Sequence, residues 1–268
     1  LEGLDYFTGF TYGCVGQTMS RALPNAVVSR AFAQLGVTSP NSGDLDEKIN
    51  ASLQRLYGFQ HEDGGWGWWY TDPSDHYQSA WVLFGLALIQ QANYEVSPEV
   101  IENATLYLQN ALPNMDVRTR AYALYSLSLV DSTNVESMNE LLDTDLDLFS
   151  QTALTLAFAN SGDLAQARAM LDEIMAQATV SNTTGYVSWR TNVRDGYYQR
   201  KTMASNIRTT ALVLSAMSQL DPENEHVFGT VQYLMSKRQR NGWGTTNETS
   251  YAILGLTDHL LAAQQNEE

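Results

Sequence analysis

The sequence has a single cysteine, Cys14, among 268 residues. One cysteine excludes a disulfide framework within the chain and a structural zinc site built from several cysteines. Asp143, Asp145 and Asp147 have the spacing of a calcium loop, but leucine stands at the sixth position, where such a loop needs glycine. Neither a phosphate-binding glycine loop nor a Gly-x-Ser-x-Gly elbow is present, so no metal and no cofactor are expected.

Positive charge and long apolar runs are also scarce. Fifteen basic residues against thirty acidic ones give a net charge of −15, and no Lys/Arg run forms a basic stripe, so we expect no nucleic-acid partner. The longest apolar stretch, residues 80–89, is about half of what a bilayer span needs. No membrane span and no signal peptide are expected. The chain begins at Leu1, without a methionine, and we expect it to be a piece of a larger protein.

Helical periodicity dominates the chain. Segments that are apolar on most faces alternate with amphipathic ones, and no convincing strand pattern is present. We expect buried inner helices to begin near Gln17, Asp75, Asp116, Leu148, Met203 and Asn247. Outer helices are expected over residues 45–57, 98–112, 135–142, 164–176 and 223–236. Five of the six prolines fall near proposed helix ends or first turns: Pro24, Pro40, Pro98, Pro113 and Pro222. The pattern predicts an all-α fold, an α/α toroid of about six helical hairpins, with residues 1–268 as a single domain.

Glycine and tryptophan recur together in the turns before inner helices. The segments are residues 63–69, 185–189 and 241–244. Glycine permits a positive φ, and the neighbouring indole can then close the end of a hairpin. Structural packing is favoured over ligand stacking for these aromatic residues.

Cys14 and Gln17 form the chemically informative pair. They lie three residues apart at the predicted start of a helix, where the macrodipole favours negative charge. Spacing of three places the two side chains on one face of a turn. The thiol and the carboxamide can condense with loss of ammonia to an internal thioester, in a ring of about fifteen atoms. A buried cysteine that merely packs is the alternative, and spacing alone favours that alternative.

The residues that flank this pair favour the thioester over a cysteine that merely packs. Residues 12–25, YGCVGQTMSRALPN, resemble the thioester motif of the alpha-macroglobulin and complement family, which reads Cys, any residue, Glu, Gln. Residues 63–69, 75–86, 205–212 and 241–256 resemble the family's tryptophan turns and inner helices, so the resemblance covers nearly the whole chain. It implies a thioester domain of a bacterial protease-trapping macroglobulin, which is a single-use covalent inhibitor and not an enzyme. Cys14 and Gln17 are then the cross-link.

The resemblance also implies surroundings, partners and location. The thioester environment is expected to comprise Tyr12, Gly13, Gly16, Met19, Trp68, Trp69 and Tyr70. The implied partners are target proteases, through surface lysine amines, and other domains of the parent protein. The implied location is periplasmic or extracellular, with membrane anchoring through another part of the parent.

Two positions bear on this interpretation. Gly16 stands where the family has glutamate, so whether the ring forms without that carboxylate is open. His76 is the histidine nearest to the one that some complement members use for acyl transfer, but it aligns with a helix and not with the preceding loop. We therefore expect His76 to be a helix-end residue, as in the macroglobulin branch, which lacks the catalytic histidine.

Two alternatives remain open. Terpenoid cyclases and prenyltransferase subunits also use α/α rings with aromatic repeats, although the acidic and zinc-ligand motifs that they need are missing here. A hollow centre of the ring would favour such an enzyme, and a packed centre would oppose it. The third reading is an interaction module that has lost its thioester through Gly16.

Overall fold

The computed structural model describes residues 13–36, 42–193, 202–240 and 242–265, which form two sets of α-helices. The inner set comprises α1 (Val15–Gln34), α3 (His76–Gln91), α5 (Val117–Ser128), α7 (Leu148–Asn160), α9 (Asn206–Leu220) and α11 (Thr246–Gln265). The outer set comprises α2 (Ser42–Gly58), α4 (Pro98–Ala111), α6 (Val135–Asn139), α8 (Leu164–Met175) and α10 (Val227–Ser236). A single 3-10 turn, Leu112–Asn114, follows α4 in this part of the chain.

The inner helices close into a ring. Each packs against the next inner helix along the chain, and α11 packs against both α9 and α1. Each outer helix packs on the outside of the inner helix that precedes it. The composition of the helices explains this division: α3 is buried from Tyr77 to Ile89, whereas α4 buries one stripe, Val100, Ala104 and Leu108. The all-α toroid is confirmed, with five hairpins and α11 in the described part of the chain.

All inner helices point in the same direction. Residues from the last turns of all six line one cavity, from Gln34 of α1 to Gln265 of α11. First-turn residues of α3, α5, α7 and α9 line a second cavity. The amino-terminal ends of the inner helices, with their positive partial charges, therefore gather at one end of the ring.

Aromatic side chains fill the centre of the ring. The rings of Trp81 and Tyr251 stack at 5.4 Å between centroids, and those of Tyr77 and Tyr122 at 5.1 Å. The Tyr122 and Tyr251 hydroxyls are 2.8 Å apart and hydrogen-bonded. All four side chains are buried. Within the described residues, these stacked rings pack the middle of the ring, which opposes the cyclase and prenyltransferase alternative.

The glycine–tryptophan turns share one hydrogen-bond pattern, which confirms a structural role for one indole in each turn. Each indole N–H donates to a carbonyl near the end of the preceding outer helix, at 2.7–2.8 Å: Trp66 to Leu56, Trp189 to Ile174, Trp243 to Leu234. Each tryptophan backbone N–H donates to a hydroxyl on the following inner helix: Ser79, Thr210 and Thr249. Gly64 precedes the first indole at φ +87°, and a Cβ there would lie 2.3 Å from the Asn103 carbonyl oxygen. The indole thus joins an outer helix to the next inner helix.

A small β-hairpin departs from the expected pattern. Residues Thr179–Val180 and Val187–Ser188 pair antiparallel between α8 and α9. Each strand has two residues, which is too short to produce a detectable alternation of apolar and polar side chains. Within the described residues, no helix is both long and apolar enough to cross a membrane.

Pro24 corrects another expectation, because it lies inside α1 and not near its end. A proline within a helix has no N–H for the carbonyl four residues earlier, which here belongs to Ser20. Ser250 of α11 lies against this carbonyl as a donor: its Oγ is 3.0 Å from the Ser20 carbonyl oxygen and 2.9 Å from that of Thr246, so the two acceptors share its one proton. This contact between buried groups compensates the proline and joins the first inner helix to the last.

We expect Ser250→Ala to lower the free energy of unfolding by about 1–3 kcal/mol, because the buried Ser20 carbonyl loses its donor. Urea denaturation followed by circular dichroism measures this change. The control is Ser236→Ala, which removes an exposed hydroxyl that also donates to a helix carbonyl. Equal stability of the Ser250 variant and the control variant would show that the hydroxyl does not compensate the proline.

Candidate functional site

Cys14 and Gln17 meet at the amino terminus of α1. Cys14 is the N-cap residue, in extended conformation at φ −67° and ψ 172°, and Gln17 is at the third helical position. The two residues form a capping box, in which the Cys14 N–H donates to Gln17 Oε1 at 3.2 Å. Cys14 is half-buried and Gln17 is exposed. The structure thus brings together the two predicted cross-linking side chains, on the surface where a nucleophile can reach them.

The position of Cys14 is shared with the caps of other inner helices. Asp75, Asp116 and Ser205 cap α3, α5 and α9 through side chains that accept backbone N–H groups of the first turn. These residue types are the preferred helix caps. At α1, a thiol occupies the place of the carboxylate or hydroxyl, so the ring's repeat provides a ready position for a reactive sulfur.

Two parts of the molecule hold the turn around Cys14 in place. Arg55 of α2 donates from Nη2 to the Gly13 carbonyl oxygen at 2.9 Å. On the other side, the Val15 N–H donates to the Trp68 carbonyl oxygen at 3.0 Å. The Cys14 carbonyl accepts from both the N–H and the hydroxyl of Thr18, at 2.9 and 3.0 Å. The backbone is therefore fixed before, at and after the cysteine.

The two flanking glycines make room for side chains. A Cβ at Gly13 would lie 3.2 Å from Oε1 and 3.3 Å from Cβ of Gln17, so a larger residue would displace Gln17 from Cys14. A Cβ at Gly16 would lie 3.3 Å from Gln78 Oε1 and 3.7 Å from Trp68 Cζ3. Neither glycine has a positive φ. Gly16 is thus packed closely against its neighbours, and a side chain of α3, that of Gln78, fills the space beside it.

Gln78 is the polar residue that occupies this space. It is fully buried, and neither Oε1 nor Nε2 has a hydrogen-bond partner in the structure. Gln78 also holds the same position in α3 that Gln17 holds in α1, three residues after the cap. A buried carboxamide without partners is costly. The first turn of α1 therefore has a polar side chain, that of Gln78, as its neighbour on the side of Gly16.

Positive charge is concentrated near the turn. Burial and the charge of Arg55 together lower the pKa of Arg21, which lies one helical turn after Gln17. The partial positive charge of the α1 amino terminus adds to that of these two guanidinium groups. The α1 amino terminus itself favours negative charge that develops at its first turn.

The aromatic residues expected around the pair have different positions. Trp68 is half-buried against Gly16, whereas Trp69 and Tyr70 are 51% and 61% exposed beside it. Met19 is fully buried in the core, where its sulfur packs against Gly85 of α3. Tyr12 lies outside the described residues. The structure therefore places Trp68, Gly13 and Gly16 against the turn, with Trp69 and Tyr70 on the adjoining surface.

The nearby histidines and Ser74 do not form a hydrolytic triad. His76 is the first residue of α3, as expected for a helix-end residue, and its ring lies 6.0 Å from that of Tyr107. Ser74 donates its proton to Asp63 at 2.8 Å, and His61 contacts the same hydroxyl through Nδ1. Since the hydroxyl proton is directed at a carboxylate, His61 does not act as its base.

A polar cavity of about 300 Å³ lies at the opposite end of the ring. Burial raises the pKa of Asp258, which lines it, to about 6, although a Ser215 hydroxyl and the charge of Arg30 act against this rise. The cavity is separated from Cys14 by the length of the inner helices. It takes no part in the chemistry of the Cys14–Gln17 pair.

Arg55 and Gln78 are site residues that the sequence did not reveal. Arg55 reaches Gly13 across 42 positions of sequence, and Gln78 belongs to a helix that looks uniformly buried. One signal was available for Gln78: glutamine is unusual among the apolar residues of α3, and its spacing from Asp75 repeats that of Gln17 from Cys14.

Comparison with known proteins agrees with the fold and with the sequence resemblance. The sequence-family model of the A-macroglobulin TED domain matches residues 2–111 of this chain. An alpha-2-macroglobulin from Thermotoga maritima is 27% identical over 97% of this chain, and the chain covers 14% of that protein.

Solved structures extend the similarity of fold to almost the whole chain. Native Escherichia coli alpha-2-macroglobulin from domain MG7 to its C-terminus has a TM-score of 0.76 at 18% identity, over 96% of this chain and 41% of that one. Salmonella alpha-2-macroglobulin reacted with methylamine has a TM-score of 0.75 at 18% identity, over 96% and 17%. Trypsin-activated Escherichia coli alpha-2-macroglobulin has a TM-score of 0.71 at 18% identity, over 92% and 17%.

The ring is therefore an α/α toroid with the fold of the macroglobulin TED domain. The sequence resemblance is confirmed: the relatives of this chain are bacterial alpha-2-macroglobulins, and the chain spans about one seventh of the length of the Thermotoga protein.

The two glycines generate a paired prediction. We expect Gly16→Ala to raise the free energy of unfolding by about 0.5–1 kcal/mol, since alanine favours the helix and the end of Gln78 can move by a few tenths of an ångström. Gly13→Ala should lower it by about 0.5–1 kcal/mol, because the new methyl group displaces Gln17 from its capping contact. Urea titrations of both variants measure the difference. Equal changes of the same sign would contradict this assignment of the two positions.

Proposed function

We propose that this chain is a thioester domain, in which Cys14 and Gln17 form an internal thioester that acylates amines of an attacking protease. The observation that carries the proposal is the capping box, which holds the Gln17 carboxamide against Cys14 at the surface. The toroid fold and the macroglobulin relatives support it.

The chemistry has two steps that balance. In the first, Cys14 Sγ attacks Gln17 Cδ, the C–N bond breaks and ammonia leaves. In the second, an uncharged amine attacks the same carbon, an amide bond forms and the C–S bond breaks. The sulfur leaves as a thiolate and takes up the proton that the amine loses. The acyl carbon of Gln17 is consumed, so the domain acts once and is not an enzyme.

The surroundings of the pair favour this second step. Arg55 holds the Gly13 carbonyl beside the first turn of α1, where the thiolate develops, and so keeps the backbone around Cys14 in place. The α1 amino terminus contributes its partial charge in the same place. Preorganised charge of this kind stabilises a transition state without reorganisation during the reaction.

The partners follow from the relatives. Trypsin-activated and methylamine-reacted macroglobulins have this fold, which supports a protease as the target and an amine as the nucleophile. We propose that other domains of a longer parent protein cover Trp69 and Tyr70, and so keep water from the thioester until activation. The corresponding location is periplasmic or extracellular. Residues 1–268 serve as one domain of that parent, in keeping with the closed ring of inner helices.

Methylamine tests the proposal. The unaltered chain should gain about 31 Da by intact mass spectrometry as methylamine opens the thioester. Cys14→Ala and Gln17→Glu should gain nothing while keeping the helical circular dichroism spectrum, because neither residue belongs to the core. Gln34→Glu is the matched control, since it makes the same chemical change at the far end of α1. Equal mass gain in the Cys14 or Gln17 variants would place the acyl donor elsewhere. No gain in the unaltered chain would favour an interaction module without a thioester.

A further inference from the structure

The segment that carries the exposed aromatic residues is tied to the turn before it. We call residues 68–74 the aromatic segment. His61 Nε2 lies 3.0 Å from the Tyr70 carbonyl oxygen, and its Nδ1 lies 2.8 Å from Ser74 Oγ. Ser74 Oγ in turn donates to Asp63 Oδ1 at 2.8 Å. Three hydrogen bonds therefore join residues 61–63 to the aromatic segment.

Counting protons shows what these three bonds require. The Tyr70 carbonyl and the Asp63 carboxylate only accept, so His61 Nε2 and the Ser74 hydroxyl must both donate. The single hydroxyl proton of Ser74 is then used on Asp63, and the bond between Ser74 and His61 needs a second imidazole proton, on Nδ1. A neutral imidazole has one N–H and can support only two of the three bonds at once.

The aromatic segment is also in contact with the Cys14 turn. The Trp68 carbonyl accepts the N–H of Val15, the residue after Cys14, at 3.0 Å. The Trp68 ring packs beside Gly16, where a Cβ would lie 3.7 Å from Trp68 Cζ3. Movement of the segment therefore changes the cover and the backbone support of Cys14.

We propose that His61 is a positioning residue for acyl transfer: its protonated imidazole fixes the aromatic segment over the Cys14 turn, and loss of one proton loosens the segment. This inference rests on the proposed function. His61 touches neither the thiol nor the carboxamide, and it acts through Tyr70 and Ser74. The site is then slower to react in acid, beyond the effect of acid on the amine itself.

Several charged or titratable groups surround this contact. Those on its own turn are Glu62 and Asp63, those on the neighbouring segment and the start of α3 are Tyr70, Asp72, Asp75 and His76, and the one from α4 is Tyr107. Burial raises the pKa of Tyr107 to about 12, with the carboxylates of Asp63 and Asp75 acting in the same direction. Tyr107 therefore stays neutral while an imidazole titrates, and so it does not account for a pH effect in that range.

The test is the pH profile of methylamine incorporation, with each rate divided by the fraction of uncharged methylamine. For the unaltered chain, we expect the corrected rate to rise ~10-fold between about pH 5 and 8, the effect of one charge-assisted hydrogen bond. Like a neutral imidazole, glutamine offers donor and acceptor groups without a charge. The corrected rate of His61→Gln should therefore be high and independent of pH over this range. The corrected rate of Ser74→Ala should also be independent of pH, because the second imidazole proton then has no acceptor in the aromatic segment.

His259→Gln is the control, since His259 lies on α11, well beyond its first turns, and should keep the profile of the unaltered chain. An unchanged pH rise in His61→Gln, or no corrected rise in the unaltered chain, would overturn the proposal.

A second measurement separates this inference from the thioester itself. Acrylamide quenching of tryptophan fluorescence in the Cys14→Ala chain reports mainly on Trp68 and Trp69, because Trp66, Trp81, Trp189 and Trp243 are buried. Quenching should increase as the pH rises from about 5 to 8, and His61→Gln should abolish this change. If methylamine is never incorporated but quenching behaves in this way, the proposed function fails and the His61 contact stands. If quenching does not change with pH, the His61 contact is wrong.

Discussion

The structure depends on the closed ring of parallel inner helices. Because α11 packs on both α9 and α1, the ends of the chain's helical region are joined, and every inner amino terminus lies at the same end. Each of these termini needs an acceptor for its unpaired N–H groups. The side chains of Asp75, Asp116 and Ser205 accept such N–H groups at α3, α5 and α9, and Cys14 occupies the corresponding N-cap position at α1 without a side-chain capping bond. The reactive pair thus occupies a position that the repeat itself creates.

That position gives the cysteine an environment that a loop would not provide. Arg55 and the Trp68 carbonyl fix the backbone from two directions, and Gly13 leaves room for Gln17 to lie over the N-cap. Gln78 occupies the space beside Gly16 with an unpaired carboxamide. The unpaired buried amide of Gln78 lowers the stability of the fold next to the site. Such unfavourable groups are common at functional sites, where residues are not selected for stability alone.

Sequence reasoning succeeded where signals were local. The inner helices α3, α5 and α7 begin at or next to the expected residues Asp75, Asp116 and Leu148, because the apolar segments that mark them are local features of the sequence. The Cys14–Gln17 proximity also followed from helical spacing. Long-range partners could not be predicted: Ser250, which compensates Pro24, is 230 residues from Ser20, and Arg55 reaches the site from another helix. The placement of Met19 in the core depended on which face of α1 meets Gly85, and the sequence does not state this.

The central claim is that Cys14 and Gln17 become covalently joined, and the intact mass of the freshly purified, unreacted chain tests it most directly. A thioester removes one ammonia, so the mass should lie about 17 Da below that calculated from the sequence, and iodoacetamide should find no thiol. Chain with Gln17→Glu should have its full calculated mass and one reactive thiol, because it has no amide nitrogen to expel. A full calculated mass with one accessible thiol in the unaltered chain would contradict the account.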